Sequence, residues 1–145
     1  MHPAASAFLS MPLAQQRTVH LRLLEKAANV WEQYCSSSAN LGYRESVAGT
    51  LQELDRHLPH EAVAAINERH DHAQIATRYR EPIASLQDGD LALPAPVESA
   101  YYAIYNAFRL HVVGTKVDPW LIVNQVLAAV GEEHAVAVLE AAVSG

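Results

Sequence analysis

The sequence predicts an all-α fold, a single-domain bundle of six or seven helices, and three observations carry that reading. Apolar residues recur every three to four positions in every long segment, no segment alternates apolar and polar residues over a useful length, and helix punctuation recurs along the chain. The 145 residues suffice for one domain with a sizeable core. Half of them are hydrophobic and 18% are charged, a balance that disordered chains do not have. Residues 1–12 are expected to form a flexible tail and residues 13–145 the folded domain.

The tail reads MHPAASAFLSMPLAQQ. It lacks the Lys or Arg that opens a secretory signal, and Pro12 interrupts it; Met11 is an alternative start to Met1. A first helix is expected over Leu13 to Cys35. Val19, Leu23, Ala27, Val30 and Tyr34 form one stripe, flanked by Leu24, Ala28 and Trp31, with Arg22, Glu25, Asn29 and Glu32 opposite. The run Ser36-Ser37-Ser38 and Gly42 end it. A second helix, Tyr43 to Leu58, is read from Tyr43, Val47, Leu51, Leu54 and Leu58, although Gly49 inside it costs up to ~1 kcal/mol. Pro59 closes that helix and opens a short third one, His60 to Arg69, anchored by Val63 and Ile66.

Asp71 followed by Gln74 has the pattern of a capping box. The helix behind it uses Ile75, Tyr79, Ile83 and Leu86, and Pro82 predicts a kink or break near Arg80-Glu81. A loop over Asp88 to Pro96 leads to the central helix, Val97 to Val113, with Gly114 as its left-handed cap. Asp118-Pro119 is the sharpest local signal: a carboxylate caps free amides and proline takes the first helical position. The uncharged helix that follows, Pro119 to Val130, is expected to be buried nearly all round. Gly131 ends it, and Glu132 and Glu133 favour the start of a last Ala/Val-rich helix.

The formal charge of −6 argues against nucleic acid or an anionic membrane as the main partner and permits a basic protein partner. One cysteine, Cys35, excludes an intrachain disulfide. No apolar run reaches the ~18 residues of a membrane span, so a cytoplasmic protein is expected.

Several side chains qualify for chemistry or contact. Glu98, Tyr102, Asn106 and Arg109 advance by four, four and three residues and so share one face of the central helix. They form a set able to grip a partner, and Tyr and Arg dominate protein–protein hot spots. The competing reading is a polar network that satisfies itself inside the core. Asn124 and Gln125 lie in the uncharged helix, where an unpartnered buried amide costs ~1–3 kcal/mol, so tyrosine hydroxyls or Asn106 are the expected partners.

Eight histidines include His57 with His60 and His70 with His72. Pro59 separates the first pair, and residues two apart cannot share a helical face, while His20, His111 and His134 are scattered; no metal is expected. Asp88-Gly89-Asp90 lacks the later ligands of a calcium loop and reads as a turn. Cys35 has no inferable base and reads as a buried thiol. No P-loop, GxGxxG or GxSxG motif occurs.

The segments YYAIYNAF and DPWLIVNQVL, preceded by RYREPIASLQDGDL, resemble those of uncharacterised all-helical bacterial proteins encoded beside polymorphic toxins and held to be immunity proteins. The resemblance covers the C-terminal half and transfers no functional residue. It implies a small, soluble, acidic protein that occludes a toxin's active site.

The leading expectation is therefore a non-enzymatic binding module without cofactors. Exposed acids at Glu25, Glu32, Glu45, Glu53, Asp55, Asp88 and Asp90 would steer a basic toxin domain. One alternative is a small-ligand binder or small enzyme with a pocket of Tyr101, Tyr105, Trp120 and Asn124. Another is a homodimer built on apolar surface of the last helix.

Overall fold

A computed structural model describes residues 2–37, 40–45, 48–68 and 72–145. The expected contributions of Ser38, Val47, Arg69, His70 and Asp71 lie outside these residues. The all-α reading holds: among the described residues seven α-helices and one small hairpin form a single domain. No helix among them is long and apolar enough to cross a membrane.

The first departure from the sequence reading is at the N-terminus. Instead of a tail, Pro3–Ser10 form helix α1, opened by His2, whose Nδ1 accepts from the Ala4 amide at 3.0 Å. Phe8 is wholly buried and Ala4 and Ala5 are buried beside it, so the docked apolar face holds the segment in place. Helix α2, Leu13–Ser36, follows after Pro12. Its buried stripe is Val19, His20, Leu23, Leu24, Ala27, Trp31 and Cys35, and Val30 and Tyr34 are only partly covered.

The expected second helix is a β-hairpin. Strands β1 (Gly42–Arg44) and β2 (Leu51–Glu53) pair antiparallel, with Tyr43 opposite Gln52. Leu41 and Tyr43 point inward and Gly42 and Arg44 outward, an alternation too short to stand out in the sequence. Leu51, assigned to a helical core stripe, is 71% exposed. Gly49 adopts a left-handed φ of 68°, which residues with a Cβ disfavour and which does not occur in a right-handed helix. Helix α3, Leu58–Glu68, carries Pro59 in its first turn, where a missing N–H costs nothing.

Helix α4, Ala73–Asp88, runs through Pro82 without the expected break. Tyr79, Pro82, Ile83 and Leu86 are buried along one side, and that packing offsets the lost backbone bond. Gly89 closes the helix in the left-handed region at φ 82°. Helix α5, Ala95–Phe108, is the centre of the fold and packs against α2, α3 and α6 (Pro119–Val130).

Rather than continuing to Val113, α5 passes into a π-helical turn over Arg109–Val113, capped by Gly114. Asp118 caps α6 as expected, its Oδ1 accepting from the Trp120 amide at 3.0 Å. Helix α6 is not buried all round: Leu121, Asn124 and Ala128 face solvent. Helix α7, Glu132–Ser144, closes the bundle against α6, α2 and α1.

The core is rich in aromatic rings. Tyr101 lies 5.2 Å from Trp31 and 5.5 Å from Tyr79 between ring centroids, and Tyr79 is 4.8 Å from Tyr105. These separations fall in the range where offset and edge contacts add to simple burial. Trp31 Nε1 donates to the Arg56 carbonyl at 2.8 Å, which ties α2 to the segment before α3.

Candidate functional site

The structure brings part of the α5 stripe to one cleft. Tyr102, Asn106 and Arg109 line it with Tyr105, and Gln125 of α6 and Arg80, Ile83, Ala84 and Gln87 of α4 complete its walls. The cleft has a volume of about 550 Å³. Its outer edge is open, because Arg80 and Gln87 are exposed. The polar and the apolar walls follow from helical spacing: Tyr102, Asn106 and Arg109 lie on one side of α5, and Ile83 and Ala84 turn from α4 toward them.

The polar groups in the cleft hold one another. Asn106 Nδ2 donates to Gln125 Oε1 at 3.0 Å, and Arg109 donates to Asn106 Oδ1 at 3.2 Å. The Arg109 guanidinium also lies 5.3 Å from the Tyr105 ring centroid, a cation–π contact. Asn106 is buried, and its two bonds remove the cost of an unsatisfied amide while fixing Arg109. Burial pushes the Tyr102 phenol up, helped by Glu98 and Tyr105, so it keeps its proton.

Glu98 does not line the cleft; it is half-buried in the first turn of α5. The expected tyrosine pocket is dispersed. Tyr101 lies in the core, Tyr105 lines the cleft, and Trp120 is half-buried with its ring 6.0 Å from Phe8. Asn124 is exposed, contrary to the expectation that it is buried, whereas Gln125 pairs with Asn106, one of the two kinds of partner expected, and not with a tyrosine hydroxyl.

The acids are equally divided. Glu32 receives His60 at 2.7 Å and Arg56 at 3.5 Å, and the His60 hydrogen bond holds its carboxyl below the usual range. Asp55 and Glu61 both bind Arg78, at 2.6 and 2.8 Å. Glu25, Glu53, Asp88 and Asp90 are exposed, and Glu45 is half-buried. Glu25 sits on the rim of a second groove, between α2 and α7, of about 880 Å³. Its rim mixes Glu25 with Arg22 and Lys26 and so has no dominant sign. Among the described residues no group of three or more His, Cys, Asp or Glu is placed to hold a metal ion.

Sequence reasoning missed one polar pair, a buried histidine against a half-buried one. His20 on α2 is wholly buried, and its Nδ1 lies 2.8 Å from His111 Nε2. Its Nε2 lies 2.9 Å from the Pro119 carbonyl oxygen. A carbonyl only accepts, so His20 donates through Nε2 and its Nδ1 accepts from His111 Nε2–H. Ninety-one residues separate the two rings in sequence, and no local pattern announces the pair. Cys35 is buried, and burial pushes its thiol up, away from nucleophilic use.

No protein-family model, no curated protein and no solved structure matches the chain.

Proposed function

We propose that this chain is a non-enzymatic bacterial binding protein, an inhibitor of the immunity-protein kind that neutralises a toxin by direct contact in the cytoplasm. The observation that supports this reading best is the cleft face of α5. Tyr102, Asn106 and Arg109 stand there in a fixed, partly exposed arrangement rich in the residue types that anchor protein interfaces. Phenols, amides and guanidiniums line the cleft, and these groups can donate hydrogen bonds to a partner. The exposed acids Glu25, Glu53, Asp88 and Asp90, within a net charge of −6, supply long-range attraction for a basic partner.

The test is capture from native lysate with tagged protein at low and moderate salt, beside Tyr102→Ala. A single stoichiometric partner that fades as salt rises and is weakened by the variant is the expected result. No partner at any salt would sink the reading.

A second reading, a small-ligand-binding protein, rests on one observation. A cleft of about 550 Å³ with convergent Tyr, Asn and Arg groups falls within the range that small-molecule sites occupy.

A further inference from the structure

We infer that the cleft between α4, α5 and α6 is a carboxylate-recognition site, with Arg109 and Arg80 as the groups that hold the ligand's anionic oxygens. The inference rests on the reading of this cleft as the binding face, and it names the chemistry of what enters.

In a chain of net charge −6, the described residues lining this cleft include two guanidiniums and no carboxylate. Other arginines of the fold are spoken for. Arg78 binds Asp55 and Glu61, Arg56 reaches Glu32, and Arg22 donates to the Ala142 carbonyl at the end of α7. Arg109 has a neutral amide oxygen and an aromatic face instead, and among the described residues no carboxylate pairs with it. A half-buried guanidinium with no counter-charge is favoured by an anion brought from outside.

Arg109 begins the π-helical turn, and its carbonyl accepts from the Thr115 amide at 2.9 Å, which fixes its backbone where the helix changes pitch. Asn106 takes one terminal nitrogen of the guanidinium and is itself held by Gln125, so the remaining N–H groups are already oriented. A planar guanidinium fork can donate to both oxygens of a carboxylate at once. The protonated Tyr102 phenol is a further donor at the wall, and Ile83 and Ala84 offer apolar surface to the carbon skeleton behind the carboxylate.

Such a carboxylate belongs either to an Asp or Glu side chain of a protein partner or to a free small organic acid. Both sources are separated by titrating ¹⁵N-labelled protein with N-acetyl-hexaglutamate, with citrate and with inorganic phosphate at matched ionic strength. The readouts are the side-chain amides of Asn106 and Gln125. The expected result is a saturable shift of both signals with at least one carboxylate probe. Binding should weaken about tenfold or more in Arg109→Gln and in Arg80→Gln. Arg80 is exposed, so its variant keeps the fold even where Arg109→Gln disturbs the amide chain. Arg109→Lys should also weaken binding, since a point charge lacks the fork.

Tighter hexaglutamate places the carboxylate on a protein, and tighter citrate places it on a small acid. Three results overturn the inference: no saturation up to about 10 mM, equal affinity in both glutamine variants, or phosphate binding as well as the carboxylates. A partner captured from lysate without any carboxylate titration would end this inference alone. Carboxylate binding without a captured partner would end the protein-binding reading alone.

Discussion

Replacing His20 by glutamine should flatten the acid side of the stability profile. His20 is wholly buried, and burial drives its pKa from 6.5 down to about 4, against the opposing pull of the Pro119 hydrogen bond. The geometry agrees with the direction. His20 Nδ1 accepts from His111, so a proton arriving at Nδ1 would set two N–H groups against each other. The folded-state value lies below the unfolded one, so the unfolded chain binds the extra proton. The contribution is complete above pH ~6.5 and is lost as pH falls toward the folded value near 4.

Integration over that window gives about 3 kcal/mol in all, and about 2 kcal/mol between pH 7 and pH 5. Urea unfolding at pH 7, 6 and 5 would show it as a fall of about 1 M in the midpoint of the wild type relative to the variant. His20→Gln loses the ring contact with Phe8 at 5.4 Å and is less stable at pH 7, but its further loss on acidification should be small. Parallel pH profiles for the two proteins would refute the reasoning, because the buried imidazole would then not be the group that titrates. The carboxylates held low by Arg78 and His60 begin to lose their stabilisation near the ordinary glutamate value of 4.5, so they act mainly below the pH 5 end of the measurement.

Other perturbations test separate parts of the fold. Phe8→Ala should cost about 3 kcal/mol or more in chemical unfolding, the cost of emptying a fully buried aromatic site; a loss under about 1 kcal/mol would mean that α1 is not docked. Tyr101→Phe should leave stability unchanged or raise it by about 1 kcal/mol, because the buried hydroxyl has no hydrogen-bond partner among the described residues; a marked loss would reveal a partner. Asp118→Ala should lower the melting temperature by the equivalent of about 1 kcal/mol through the lost cap, and Asp118→Asn should restore most of it.

Features set within a few residues of chain were legible before any tertiary contact was known. The 3.6-residue recurrence along α2, α5 and α6 made the fold class legible, since an amphipathic stripe must find a core whatever covers it. Asp118-Pro119 and Gly114 marked boundaries because capping and left-handed geometry are local preferences. The stripe of Tyr102, Asn106 and Arg109 was readable for the same reason, and the Asn106–Gln125 bond followed from the cost of burying an amide alone.

Tertiary packing decided the rest. Residues 42–53 carry a helical pattern in sequence, yet they form the hairpin, with Leu41 and Tyr43 buried and Leu51 exposed. Phe8 turned an expected tail into a helix because the fold offers its ring a site. Arg80 joins Arg109, and His20 meets His111, only when helices distant in sequence are packed together. Propensity and capping act over one turn of chain, whereas a cleft and an imidazole pair depend on distances that no local spacing encodes.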